Sequence, residues 1–206
     1  MLFTEEVPSE PRVTHAIRGR QPVGGIATLG QDVFISRYNS QQIEVYSATS
    51  LSLRRHLIVP GLGPFSFDLD TCAADNSLLL SDYYNDSVHR VELSGNHAVM
   101  KWAVARHPVG LSVMGTANHV LVVSERDRKL QVFTTHGNLL RNIRLPGGIT
   151  SPNHAVQLPS GNLVLCDPGN NHQVCLITTG GRLLSSHTGT RDYVPELTKY
   201  YTCTGT

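Results

Sequence analysis

The side chains best able to do chemistry in this chain lie in the polar breaks between its apolar runs. Arg37, Tyr38, Tyr83, Tyr84, Arg106, Arg126, Arg128 and His172 recur there, with Arg18, Arg20, His107 and Asn153 nearby. Arginine and tyrosine are enriched at binding hot spots, and the same pair stacks on unpaired bases and contacts phosphate. These residues form the candidate partner-binding set, with Tyr38, Tyr83, Tyr84, Arg126 and Arg128 as anchors. Acids interleave with them. Asp82, Asp86, Glu125, Asp127 and Asp167 occupy the same breaks, and Glu125-Arg-Asp-Arg128 reads as self-neutralising. The smooth basic footprint that salt-sensitive RNA binding requires is not visible. Solvated arginines paired with nearby carboxylates are the plainer reading of these loops.

No catalytic set stands out. His107 and His154 lie near the starts of proline-led units, but one precedes its proline and the other follows by two residues. His15, His56, His97, His119, His136, His172 and His187 scatter over strands and turns. Zinc needs three or four ligands converging at about 2.0–2.3 Å, which this pattern does not offer. There is no GxSxG elbow, Walker loop or strand-linked GxGxxG. Gly61-Leu-Gly63 and Gly147-Gly148 read as tight crossings, and Trp102 as packing. No metal or cofactor is expected, and the chain reads as a non-enzyme.

What must position these residues is a repeat. Pro22, Pro64, Pro108 and Pro152 lie 42, 44 and 44 residues apart, each followed by the same pattern. The units contain Gly25–Leu29, Val33–Ser36 and Gln42–Tyr46; Phe65–Leu69, Leu78–Ser81 and Val88–Val91; Val109–Val113, His119–Ser124 and Leu130–Phe133; His154–Leu158, Leu163–Asp167 and Gln173–Ile177. A fourth run closes each unit: Leu51–Val59, His97–Trp102, Leu139–Leu145 and Arg182–His187. Short Val/Ile/Leu/Phe-rich runs between turn residues are strands, and Ser94-Gly95-Asn96, His136-Gly137-Asn138 and Gly180-Gly181 suit tight hairpins. Four antiparallel strands in about 44 residues make one propeller blade. The second run is continuously apolar, as for a strand buried on both faces, and the fourth is mixed, as for a half-exposed outer strand. The blades are expected at 22–63, 64–107, 108–151 and 152–194, after an N-terminal segment 1–21 in which Arg12–Ile17 suits an outer strand. Residues 195–206 would begin a further blade or form a tail.

Composition adds bounds. Net charge is +1 and pI about 7.8, so no whole-chain field favours nucleic acid or an anionic membrane. No apolar run reaches the 18 residues of a membrane span, and Met-Leu-Phe-Thr-Glu-Glu-Val does not read as a secretory signal. Cys72, Cys166, Cys175 and Cys203 lack CxxC spacing and read as reduced thiols. Cys166 and Cys175, on adjacent strands, could approach each other. The sequon Asn85-Asp86-Ser87 matters only in a secreted protein. A cytoplasmic protein is expected.

The break between second and third runs is the most specific signal. It reads Cys166-Asp-Pro-Gly-Asn-Asn-His-Gln-Val174 in the fourth unit, Ser81-Asp-Tyr-Tyr-Asn-Asp-Ser-Val-His-Arg-Val91 in the second and Ser124-Glu-Arg-Asp-Arg-Lys-Leu-Gln-Val132 in the third. This resembles the NHL repeat, in which an acid ends a buried strand and an Asn/Gly-rich turn, a basic residue and an apolar strand follow. The acid should accept bonds from the turn it opens, with Asn or Gly in the left-handed positions. The resemblance covers residues 22–188. The first unit departs from it with Arg37 in the acidic place, so its turn must be held differently.

The resemblance implies an all-β, NHL-type β-propeller, a fragment or incomplete form of a ring of about six blades. The loops between second and third strands and between blades would converge on one face. It implies a recognition scaffold docking a protein partner there, as in the substrate-choosing part of ubiquitin-ligase-type proteins. Single-stranded RNA binding on the same face is the second reading. A metal-dependent lyase is the third, since similar propellers include a peptide-amidating lyase holding zinc through histidines. An incomplete ring would also leave open faces for self-association.

Overall fold

The computed structural model describes residues 16–115, 118–169 and 172–188, which form sixteen strands in four antiparallel sheets. The first sheet comprises β1 (Val23–Leu29), β2 (Asp32–Arg37), β3 (Gln42–Ser47) and β4 (Leu53–Ile58). The second has β5 (Ser66–Cys72), β6 (Ser77–Asp82), β7 (Ser87–Glu92) and β8 (Val99–Ala103). The third has β9 (Pro108–Met114), β10 (His119–Ser124), β11 (Lys129–Thr134) and β12 (Leu139–Arg144). The fourth has β13 (His154–Gln157), β14 (Leu163–Asp167), β15 (Gln173–Ile177) and β16 (Leu183–Thr188). Each sheet is a simple meander whose neighbours in sequence are neighbours in space. Each of the sixteen runs read in the four repeat units falls on a strand.

The first strands pack against one another in order, β1 on β5, β5 on β9 and β9 on β13. They line the axis, and the outer strands β4, β12 and β16 are largely exposed. Sequence explains the close approach. At Gly110 an added Cβ would run into the Asn153 carbonyl of the next blade, so only glycine lets the two first strands meet. Turns in the left-handed region close the hairpins before the outer strands, at Gly95 (φ 66°), Gly137 (φ 81°) and Gly181 (φ 86°).

Apolar side chains between sheets form the core. One cluster joins Phe34, Ile43 and Val45 to Leu69, Leu78 and Leu80; a second joins Leu79 and Val88 to Leu111 and Val122. A third joins Leu121, Val123 and Leu130 to Leu163, Leu165 and Ile177. Burial on both faces runs through β2, β6 and β10 as their apolar sequences require. β14 departs, alternating between buried and half-buried residues. Its far face, with Val164 and Cys166, borders a cavity instead of a packed sheet.

That alternation also separates two cysteines. Cys175 pairs with Leu165 in the ladder and faces the core, whereas Cys166 lines the cavity, and both are free thiols. Their approach as a disulfide does not occur, because adjacent register positions point to opposite faces of a sheet. Cys203, residues 195–206 and most of Arg12–Ile17 lie outside the described residues, and Ala16 and Ile17 are not in a strand. No described helix is long and apolar enough to cross a membrane.

Candidate functional site

Each second strand ends in a polar node that fixes the candidate face. Asp82 accepts from Gly63 N at 2.9 Å, Asn85 Nδ2 at 2.8 Å and His89 Nε2 at 3.0 Å. Asp167 repeats this with Thr150 N at 3.0 Å, Ser151 N at 2.7 Å and Gln173 Nε2 at 3.0 Å. Each carboxylate therefore grips the loop arriving from the previous blade as well as its own turn. Burial alone would raise the Asp82 carboxyl, but the bonds from His89, Asn85 and Gly63 hold it below its ordinary value. In the third blade Ser124 Oγ donates to Ala105 O while Gln131 Oε1 accepts from Ala105 N.

The first blade inverts the polarity. Arg37 donates to Gln21 O at 2.9 Å and to Glu44 Oε1 at 2.8 Å, and the bond and charge of Glu44 raise its pKa further. Arg37 is buried at 6 % exposure. It holds the loop and does not serve as a surface anchor. The left-handed position in the turn before the third strand falls on Asn39 (φ 59°) in the first blade, but on Asp86 (φ 46°), Arg128 (φ 45°) and His172 (φ 43°) in the other three.

On the face built by these nodes, aromatic rings form a continuous row. Tyr38 lies 5.2 Å from Phe67 and 5.7 Å from Phe65. Phe65 meets Tyr84 edge-on at 5.1 Å, Phe67 meets Tyr83 at 4.7 Å, and Tyr83 meets Tyr84 edge-on at 5.1 Å. Tyr83 then stacks on His107 at 4.3 Å. Such ring pairs lock one another in place. Tyr84 nevertheless remains 59 % exposed. Burial raises the Tyr38 phenol, and burial followed by the Glu125 charge raises that of Tyr83.

Beyond His107 the row opens into a polar hollow of about 460 Å³ lined by Tyr83, His107, Glu125, Arg126, Arg128, Thr150 and Ser151. Of the candidate residues, Tyr83, Arg126 and Arg128 line this hollow, Tyr84 packs edge-on against Tyr83, and Tyr38 lies at the other end of the row. Arg106 is bound to Asp127 through Nε at 3.0 Å and a terminal nitrogen at 2.8 Å. His172, exposed on the fourth-blade turn, is not among the residues lining the hollow.

Beside it lies a larger cavity of about 600 Å³, sharing Glu125 and Ser151 with the hollow and walled by Ile26, Phe67, Val109, Val156 and Val164. One wall holds an Asp–His pair that links three blades. Asp68 Oδ2 accepts from His154 Nδ1 at 2.9 Å and from Leu111 N at 3.0 Å, and Asp68 Oδ1 accepts from Leu69 N. Burial alone would lower His154, but the bond and charge of Asp68, reinforced by Asp70, raise its pKa. Asp70 is raised by burial although Val113 N and Thr71 N donate to it. The sequence reading missed Asp68, His154, Phe65 and Phe67 as a group. The available signal was two acids in the first strand Ser66-Phe-Asp-Leu-Asp-Thr-Cys72, where no other unit's first strand holds an acid. Among the described residues no three His, Cys, Asp or Glu side chains form a metal-holding group.

No protein-family model and no curated protein matches the chain. Solved structures do. A streptogramin B lyase superposes with TM-score 0.67 at 14 % identity over 82 % of this chain and 55 % of its own. The nidogen/laminin complex contains a match with TM-score 0.70 at 19 % identity over 84 % of this chain and 66 % of that one. Hydrazine synthase of Kuenenia stuttgartiensis matches with TM-score 0.68 at 16 % identity, over 87 % of this chain and 53 % of its own. The chain thus spans between about half and two-thirds of these structures. At such identities the likeness establishes the fold, a β-propeller, and the set mixes enzymes with a protein of a binding complex.

Proposed function

We propose that this propeller, of NHL type, recognises a protein partner on the face formed by its inter-blade and second-to-third-strand loops. The observation that carries this is the aromatic row Tyr38–Phe67–Tyr83–His107 with its branch through Phe65 to Tyr84. Rigid aromatic surface beside arginine is the composition of interface hot spots, and here the rings are ordered before any partner arrives. The nidogen/laminin match is a propeller solved within a protein complex, which agrees with this use of the fold. As an NHL-type module, the domain would serve as the substrate-choosing part of a larger protein of the ubiquitin-ligase kind. Arg126 and Arg128 beside stacked rings favour single-stranded RNA as the second reading.

The test is to pan a displayed random-peptide library on the purified chain and map the binders by hydrogen exchange. Binders should protect residues 83–84, 106–107 and 125–128. Tyr84→Ala should weaken them at least about tenfold while the urea midpoint falls by no more than about 0.5 M, because Tyr84 is largely exposed and loses only two edge-on ring contacts. Binders that map elsewhere, or that ignore Tyr84→Ala, would remove the site assignment.

A further inference from the structure

The order in which charges pair on this face gives the partner a sign. The tract Glu125-Arg-Asp-Arg128 looks balanced in sequence, yet its charges do not neutralise each other in space. Asp127 turns to the preceding inter-blade loop and is taken by Arg106 through side chain and backbone, at 2.8–3.0 Å. That pairing, with the Arg106 amide, holds the Asp127 carboxyl below its ordinary value. Glu125 accepts from Ser151 Oγ at 3.1 Å across to the next blade. Asp86 caps the His107 amide at 2.8 Å. Among the described residues, neither Arg126 nor Arg128 makes a side-chain hydrogen bond or ion pair. Both are exposed. They stand in one hollow against Glu125 alone, leaving one positive charge in excess beside the Tyr83–His107 stack.

Resting on the protein-recognition reading above, we infer that the partner presents an acidic, aromatic-containing extended segment. Its carboxylates would meet Arg126 and Arg128, and its ring would lie along Tyr84, Tyr83 and His107. Arginine's planar fork matches carboxylates in two-point contact, so two unpaired guanidiniums select acids by geometry as well as charge. Nucleic acid fits less well. A phosphate at every nucleotide needs a continuous basic track, whereas Asp86, Glu125 and Asp127 interrupt this one. A peptide can place its acids only where the arginines are.

Three fluorescent twelve-residue peptides alternating tyrosine with glutamate, glutamine or lysine are the probes, read by anisotropy at low and physiological salt. The Glu/Tyr peptide should bind at least about tenfold more tightly than the Gln/Tyr peptide and lose that margin with salt. The Arg126→Glu/Arg128→Glu variant should reverse the order in favour of Lys/Tyr, while Arg126→Lys/Arg128→Lys keeps the preference at reduced affinity. Equal binding of Glu/Tyr and Gln/Tyr peptides, or an unchanged order in the charge-reversed variant, overturns the inference. So does an oligouridine that displaces the Glu/Tyr peptide and binds more tightly. Library binders that protect the face but are neutral would sink only the acidic segment. Binders that never map to the face would sink the recognition reading as well.

Discussion

Replacing Asp68 tests whether the axis is held by the Asp–His pair or merely decorated by it. Asp68→Ala removes the acceptor for Leu111 N and for His154 Nδ1, which belong to the third and fourth blades. Leu111 is buried at 1 % exposure and the His154 side chain is 13 % exposed, so neither donor is fully rescued by water. An orphaned buried donor costs roughly 1–3 kcal/mol. The partial exposure of the pair puts the sum at about 2–4 kcal/mol, a large share of a typical domain's 5–15 kcal/mol. With a urea slope of about 2 kcal/mol/M, the midpoint should fall by about 1–2 M. His154→Gln keeps a donor and should cost about 1 kcal/mol.

The same pair makes a pH prediction. His154 is raised above its ordinary 6.5, so the folded state binds its proton more tightly than the unfolded chain. Its stabilising contribution is complete below 6.5 and fades as pH rises through the folded value. Asp70, also raised, adds stability that is lost as pH rises from 3.8 through its own folded value. Urea midpoints of wild type, Asp68→Ala and His154→Gln, measured from about pH 5.5 to 9, should draw together toward the alkaline end, with Asp68→Ala staying lowest because its Leu111 N is unpaired at every pH. A midpoint shift under about 0.3 M for Asp68→Ala, or parallel pH curves for all three proteins, would refute the clamp.

Two further outcomes follow from the loop nodes. Asp82→Ala strands Gly63 N, Asn85 and His89 around a fully buried site and should cost about 3–5 kcal/mol by urea unfolding. Because the Asp82 carboxyl is held low, the wild type should lose this advantage only as pH falls below 3.8 through the folded value. Arg128→Gly relieves a left-handed residue at φ 45° and should leave the urea midpoint level or higher, while cancelling the one positive charge in excess in the hollow and weakening acidic-peptide binding.

Much of the fold was legible because strand period and repeat period are local properties. The apolar run Leu78–Ser81 sets a strand buried on both faces wherever it sits, and Ser94-Gly95-Asn96 turns the chain with little help from elsewhere. The Asp at the second strand's end was also readable as an acceptor for its own turn. That it also binds the preceding inter-blade loop was not readable, since Gly63 lies 19 residues from Asp82. The departure at Arg37 could be seen, but its compensation by Glu44 needed the β2–β3 register.

The pairing of charges on the loop face was illegible for a related reason. Composition invites Glu125, Arg126, Asp127 and Arg128 to be matched along the chain, yet their partners come from neighbouring loops. Asp127 reaches Arg106 over 21 residues and Ser151 reaches Glu125 over 26. In packed blades, the loop before a blade lies against that blade's own turn and its predecessor's, so separations of roughly half a repeat decide which charges survive. Whole-repeat separations govern the axis: Leu111 bonds Asp68 across 43 residues and His154 does so across 86. Those three positions are one period apart, and the period was available in the four prolines. Aligning the units on that period before judging any charge would have placed Asp68, Leu111 and His154 around one axis. It would still have left open which arginines stay unpaired, because that depends on side-chain reach between loops of unequal length.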